Sequence, residues 1–216
     1  MVCSLIMTEI MKPNYLIFDF DGVLGDTCKA AARATAVVDG VNYETACANN
    51  LHYSLHKPNH IRGHQMTEAE MHKIFAWTQR FGEEMHTQGI SLFSEFVTLV
   101  EQLPTKFKAV VSSGSQIYVI PAMATTAINP THVLAYEDHY SKEEKIELIC
   151  TDWGVSHRDV YYFTDTLADV YELQNFISPK KLIGVSWGFC GREILLKELK
   201  SEYILDVPND IHRVLV

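Results

Sequence analysis

Asn14-Tyr-Leu-Ile-Phe-Asp19 is an unbroken apolar run that ends on an acid. A strand with no polar face must be covered on both sides, which is the habit of a parallel sheet sandwiched between helices. Asp21-Gly22 breaks the run, and Asp26-Thr27 supplies an N-cap for an Ala-rich helix that starts near Cys28. Strands of the same kind are expected at 107–112, 160–164 and 182–186, with a shorter one at 133–136. Helical patterns separate them at 92–103, from 116 to about 127, at 142–153 with Gly154 as C-cap, at 167–175 and at 192–200. Tyr203-Ile-Leu-Asp206 and a short helix close the chain. Strands alternating with helices predict an α/β fold with a doubly wound parallel sheet.

One stretch does not fit that alternation. Residues 29–89 are helix-prone, His-rich and without a clear strand, broken at Gly40, Pro58, Gly63, Gly82 and Gly89. That is far too long for an ordinary strand-to-helix connection, so it is expected to form an inserted helical subdomain. The division is then a core of 13–28 and 90–216, an insertion of 29–89, and a short leader of 1–12.

Composition narrows the function. A chain of 216 residues can bury about 70% of its unfolded surface without help from disulfides or a structural metal. The formal charge is −9, with no basic block, which argues against nucleic acid or an anionic membrane as partner. Five cysteines, Cys3, Cys28, Cys47, Cys150 and Cys190, form no C-x-x-C pair and suit a reducing, cytoplasmic setting. No apolar run approaches the length of a membrane span, and the first residues lack the features of a signal peptide.

In an open α/β sheet, ligands bind beyond the carboxyl ends of the strands. The most distinctive polar residues fall there. The first strand ends in Asp19-Phe-Asp21-Gly22 and the second in Ser112-Ser113-Gly114. Ser141-Lys142 opens the helix before the 160–164 strand, which itself ends in Asp165-Thr-Leu-Ala-Asp169. Any one of these is ordinary turn or cap chemistry; four in order at one edge are not. Carboxylates gathered in one cleft repel each other, and a divalent cation relieves the repulsion. Oxygen-only ligands favour a hard ion, Mg²⁺ before Ca²⁺ or Zn²⁺. Ser112 and the amides around Gly114 can hydrogen-bond phosphate oxygens, and Lys142 can neutralise an anionic ligand. The remaining carboxylates are then available as nucleophile and general acid/base.

From Tyr15 onward the chain resembles the haloacid dehalogenase-like (HAD) hydrolases. Asp19-Phe-Asp-Gly-Val-Leu-Gly-Asp-Thr27 is similar to the family's first motif, D-x-D-G-[VT]-L-x-D-[ST]. Val110-Val-Ser112-Ser-Gly114 is similar to the second, Lys142 to the third, and Asp165-Thr-Leu-Ala-Asp169 to the acidic fourth. Val185-Ser-Trp-Gly188 and the 201–208 segment resemble phosphoglycolate-phosphatase-like members, and the insertion resembles their helical cap. The resemblance implies a Mg²⁺-dependent phosphatase acting on a small phosphorylated metabolite. Asp19 would be the nucleophile and Asp21 the acid/base. Ser112, Ser113, Gly114 and Lys142 would hold phosphate. Mg²⁺ would sit on Asp19, the Asp21 backbone carbonyl and Asp165, with Asp169 as a ligand or just behind it.

Two departures from the family pattern stand out. Thr164 replaces the usual Gly before Asp165, and Glu143 follows Lys142 where Pro is common, with Lys145 as a competing lysine. A β-phosphoglucomutase-like phosphomutase shares all four motifs, and a catalytically silent binding protein could keep the fold. A dehalogenase lacks the second acid, here Asp21, and a phosphonate hydrolase needs a cap lysine, for which Lys29 or Lys57 would have to serve. In the cap, His52, His56, His60 and His64 recur every four residues beside Lys57 and Arg62. Pro58 and Gly63 interrupt any single helix there. Two readings of this stretch stand side by side: a solvated cap face, or contacts from Arg62, His56 and His60 to a second anionic group on the substrate. Trp77, Tyr118, Trp153, Tyr161 and Tyr162 are expected to be buried or half-buried.

Overall fold

A computed structural model describes residues 14–58, 67–139 and 141–215. Its centre is a six-stranded, all-parallel sheet. The strands are β1 (Tyr15–Phe18), β4 (Lys108–Val111), β5 (His132–Leu134), β6 (Val160–Thr164), β7 (Leu182–Val185) and β8 (Ile204–Leu205), in the order β5-β4-β1-β6-β7-β8. β1 lies in the middle, with Ile17 paired to Ala109 on one side and Tyr162 on the other. Successive residues of a strand point to opposite faces. Leu16, Phe18, Val110, Phe163 and Ile183 therefore pack into one core layer, and Ile17, Ala109, Val111, Tyr162 and Leu182 into the other. This is why the strands read as continuous apolar runs.

The first face is covered in part by α4 (Ser94–Gln102) and α5 (Gln116–Met123), the second by α6 (Lys142–Trp153) and α7 (Leu167–Leu173). Gly154 takes a left-handed φ of 68° at the end of α6 and accommodates the stop expected there. The terminal elements are α8 (Gly191–Leu195) and α9 (Ile211–Val214).

Between β1 and β4 the chain makes three helices, α1 (Cys28–Asp39), α2 (Tyr43–Leu55) and α3 (Glu68–Gln88), and α1 packs on both of the others. α3 opens with a reciprocal cap: Glu70 N–H donates to Thr67 Oγ1 at 3.3 Å while Thr67 N–H donates to Glu70 Oε2 at 2.8 Å. Where the chain leaves and rejoins the core, β2 (Gly25–Asp26) pairs antiparallel with β3 (Ser91–Leu92).

The structure corrects several local expectations. Leu92 lies in β3, and the helix expected from it begins at Ser94. α5 stops at Met123 and α8 at Leu195, short of residues 127 and 200. Thr27 is the residue before α1, but its side chain makes no capping hydrogen bond. Trp77 is 38% exposed, its indole N–H donating to Asp39 Oδ1 at 2.7 Å on the outer surface of the helical block. Among the described residues no helix is long and apolar enough to cross a membrane. Cys28, Cys47, Cys150 and Cys190 are all free thiols.

Candidate active site

The parallel order brings the carboxyl ends of β1, β4 and β6 side by side. Asp19, just past β1, is buried, and its Oδ1 accepts the Phe20 N–H at 2.7 Å. The turn that follows closes on Phe20, whose carbonyl accepts the N–H groups of Leu24 and Gly25. Gly22 is required here for two reasons. Its φ is +73°, and a Cβ on it would lie 1.9 Å from Asp165 Oδ2.

Ser112, just past β4, is fully buried. Its Oγ accepts the Gly114 N–H at 2.8 Å and lies 3.3 Å from Asp21 Oδ2, to which it donates. Tyr118, one turn into α5, donates its hydroxyl to the same oxygen at 2.7 Å. The Thr27 hydroxyl lies beside the same carboxyl. Burial pushes the Asp21 carboxyl above its usual range, and the Tyr118 hydroxyl pulls in the opposite direction.

Lys142 opens α6. A lysine at the start of a helix is normally solvated, yet this one is only 2% exposed. Its Nζ lies 2.7 Å from both Asp19 Oδ2 and Asp169 Oδ2. The helix start is held in turn by Glu172 of α7, whose Oε1 accepts the Lys142 N–H at 2.6 Å. Lys142 stays charged: burial opposes this, but Asp169 and Asp19 raise its pKa well above the ordinary value. Lys145 has a different place. It is completely buried and donates to the Ser112 carbonyl at 2.6 Å, and burial together with the Lys142 charge lowers its pKa to about 7. Of the two lysines, Lys142 is the one paired with Asp19.

The turn after β6 and the first turn of α7 supply the remaining acids. Asp169 Oδ2 accepts from Lys142, from Thr164 Oγ1 at 2.8 Å and from the Tyr162 hydroxyl at 3.1 Å. Burial is outweighed by the Lys142 charge and these donors, so Asp169 lies below the usual carboxylate value. Asp165 is completely buried and differently served. Its Oδ2 accepts the Phe189 N–H at 2.6 Å, while its Oδ1 has no partner. A Cβ on Gly188 would come within 2.3 Å of the Asp165 side chain, so the Trp187-Gly188 turn after β7 works as a wall behind it. Burial raises the Asp165 pKa to about 7.

A hard cation suits this arrangement. One charged lysine faces the buried carboxyls of Asp19, Asp21, Asp165 and Asp169, and Asp165 Oδ1 is an orphaned buried oxygen. The four carboxylates do not form one ligand set, however. Among the described residues no three His, Cys, Asp or Glu side chains gather in a metal-holding group, and Asp169 Oδ2 is committed to Lys142, Thr164 and Tyr162. What remains, two carboxylates and backbone oxygen, is the sparse set Mg²⁺ accepts when water and phosphate complete its shell.

The inserted helices reach this edge at two places. α2 runs against α7, and the Ser54 carbonyl accepts from Cys190 Sγ at 3.6 Å. Tyr53 brings its hydroxyl beside Ser113, within the field of Lys142, Asp169 and Glu172. α3 lies on the Ser112–Ser115 turn, where a Cβ on Gly82 would come within 2.7 Å of Ser115. His56 is exposed; it bonds the His52 carbonyl at 2.6 Å and stacks on the His52 ring, so it closes the end of α2. Arg62, His60 and His64 lie outside the described residues.

The family model for haloacid dehalogenase-like hydrolases matches residues 16–175. The chain belongs to that family. The fold of this HAD-like hydrolase is shared by solved structures of low identity. A candidate phosphoglycolate phosphatase from Lactobacillus delbrueckii subsp. bulgaricus superposes with a TM-score of 0.71 at 16% identity, over 95% of this chain and 99% of that one. CbbY from Rhodobacter sphaeroides, solved with xylulose-1,5-bisphosphate, gives 0.60 at 18% identity, over 91% and 95%. A predicted phosphatase from Clostridium acetobutylicum gives 0.65 at 15% identity, over 93% and 97%. No curated protein matches the sequence.

Sequence reasoning missed Tyr118 as a partner of Asp21, Glu172 as the brace of Lys142, and Tyr53 as the residue α2 brings to Ser113. Tyr118 had one visible trace. Gly114 leaves open the space that the phenol fills, since a Cβ there would lie 1.8 Å from the Tyr118 oxygen.

Proposed function

We propose that this chain is a Mg²⁺-dependent phosphatase of small phosphorylated metabolites, working through an aspartyl-phosphate on Asp19. The observation that carries the reading is the pairing of two acids, two residues apart, that meet different partners. Asp19 Oδ2 lies 2.7 Å from the Lys142 ammonium, while Asp21 Oδ2 meets the hydroxyls of Tyr118 and Ser112; burial raises both carboxyls. Two carboxyls whose surroundings set them apart are the mark of a nucleophile beside an acid/base. The phosphatase name borne by two of the structural relatives agrees with it.

In the forward step a carboxylate oxygen of Asp19 bonds to phosphorus as the ester P–O bond breaks. Asp21 gives its proton to the departing alkoxide. Asp21, now an anion, takes a proton from water; the hydroxide bonds to phosphorus, the Asp19–phosphorus bond breaks and phosphate leaves. Ser112, the amides near Gly114 and Lys142 hold the phosphoryl oxygens. Asp19, the Asp21 carbonyl and Asp165 would hold Mg²⁺, whose charge offsets that of the phosphoryl group. Asp169 serves as the fixed counter-ion that aims Lys142, and residues 29–89 serve as the cap over the site.

Asp19→Asn tests the reading. The amide is nearly isosteric with the acid but is no nucleophile. Phosphate release from p-nitrophenyl phosphate should fall to background while the melting temperature stays near wild type. Substantial Mg²⁺-dependent turnover by this variant would remove the covalent route. Product analysis on sugar phosphates separates hydrolysis from phosphoryl transfer to a second hydroxyl.

A further inference from the structure

The proposed reaction uses Lys142 and leaves Lys145 without a task, although Lys145 is the more deeply buried of the two. Both leave the same side of α6, three residues apart. Lys142 is compensated by two carboxylates at 2.7 Å. Lys145 is not: among the described residues its amine makes a single hydrogen bond, 2.6 Å long, to the Ser112 carbonyl, and no ion pair. Burying an amine without a counter-ion is costly, and an apolar side chain of similar length would fill the space without that cost. The chain accepts the cost directly beneath the residue that the second motif offers to phosphate.

Ser112 is held at each of its polar groups. Its N–H donates to the Leu134 carbonyl of β5 at 2.8 Å, its Oγ accepts the Gly114 N–H at 2.8 Å, and its carbonyl accepts from Lys145. The peptide that joins Ser112 to Ser113 is planar and trans, so its C=O and N–H point in opposite directions. Fixing the carbonyl on Lys145, where α6 packs against β4, turns the Ser113 N–H away from that packing. The Gly114 N–H is already bonded within the turn, whereas among the described residues nothing accepts the Ser113 N–H. An amine and an ammonium both have hydrogens to donate, so the bond from Lys145 persists whichever form it takes.

We infer that Lys145 is a positioning residue for phosphate: by holding the Ser112 carbonyl it aims the Ser113 N–H at the phosphoryl group that the Ser112 hydroxyl also meets. This rests on the phosphatase reading and adds to it a lysine that does not itself touch the substrate. Without the amine the Ser112 carbonyl is left buried and unpaired. Rotation of the peptide toward water relieves that, and carries the Ser113 N–H out of place. The effect falls on the phosphoryl group and is the same whatever the leaving group.

The experiment titrates inorganic phosphate, with Mg²⁺ present, into the isotopically labelled full chain and follows the Ser113 amide proton by NMR. It also measures kcat/KM for p-nitrophenyl phosphate and glycerol 2-phosphate. Wild type is compared with Lys145→Met, which keeps length and packing but cannot donate. In wild type, phosphate should move the Ser113 amide proton downfield as it gains an anionic acceptor. In Lys145→Met that response should fall by about half or more. Phosphate should bind about tenfold more weakly, the loss of one hydrogen bond to an anion, and kcat/KM should drop by a similar factor on both esters. Should Lys145→Met fail to give a folded spectrum, Lys145→Leu takes its place with the same expectations. A variant with wild-type phosphate affinity and a wild-type Ser113 response overturns the inference, and so does a loss confined to one ester. If wild type binds phosphate without moving the Ser113 amide, the inference fails and the phosphatase reading stands. If wild type neither binds phosphate nor turns over either ester, the phosphatase reading itself fails.

Discussion

Thr164 stands where the family pattern has glycine, and its side chain is fully buried against the catalytic edge. Its hydroxyl donates to Asp169 Oδ2 at 2.8 Å and accepts the Thr166 N–H at 3.2 Å. Thr164→Val keeps the shape and removes both bonds. The bond to an ionised carboxylate accounts for most of the effect, about 1.5–3 kcal/mol. Asp169 keeps Lys142 and Tyr162, so its charge is weakened in its support but not abandoned. For a chain of this length each kcal/mol moves the melting temperature by about 2–4 °C, so Thr164→Val should melt roughly 3–12 °C below wild type. Thr164→Gly restores the family residue but also deletes buried side chain and adds backbone freedom, and it should fall further still. The assay is thermal unfolding of both variants in the same buffer, with turnover of p-nitrophenyl phosphate alongside. Lys142 should lose part of its alignment, giving a loss of activity below about tenfold. A Thr164→Val protein that melts within a degree of wild type would show that the hydroxyl contributes nothing, and a Thr164→Gly protein as stable as wild type would refute the whole argument.

Two further outcomes follow from Asp165. Gly188→Ala places a Cβ 2.3 Å from a side chain that the Phe189 N–H already holds, so Asp165 must move; overpacking of this kind costs about 1–3 kcal/mol. Mg²⁺ titration by calorimetry should show at least a tenfold weaker affinity, and unchanged affinity would place the metal away from Asp165. Without metal, burial raises Asp165 and Glu172 to about 7 and lowers Lys145 to about 7. The folded acids bind more protons than the unfolded ones between about pH 4 and 7, so their contribution to stability falls as pH rises through that window. The folded lysine binds fewer protons than the unfolded one above 7, so its contribution rises from there toward its unfolded value. Melting temperatures in EDTA should therefore dip near pH 7, and saturating Mg²⁺ should raise them most there; a metal response that is flat across pH 5–8 would contradict the buried-charge account.

Features that depend on near neighbours along the chain are legible in the residues alone. Strands that must be covered on both faces show as apolar runs at Tyr15–Phe18, Lys108–Val111 and Val160–Thr164, and their parallel order follows from the helices between them. Asp19, Asp21, Ser112, Lys142 and Asp165 were legible because each sits at the end of a strand or the start of a helix, and those ends share one edge of the sheet. Where local signals are weak or absent, tertiary structure decided. β2 and β3 have two residues each and pair across the whole helical insertion, too short for any periodicity. Trp77, apolar on its own helix, lies at the outer surface, where its indole N–H meets Asp39 and its ring stacks on Phe81 at 4.9 Å. Spacing from Asp165 leaves open whether Asp169 is a metal ligand or sits just behind one; the hydroxyls of Thr164 and Tyr162 and the Lys142 ammonium all turn to its Oδ2, a convergence no spacing records. Tyr118 looked like core and is core, and its one polar atom reaches Asp21. Such contacts depend on which side chains two distant segments bring within 3 Å, and spacing along one chain carries no record of that distance.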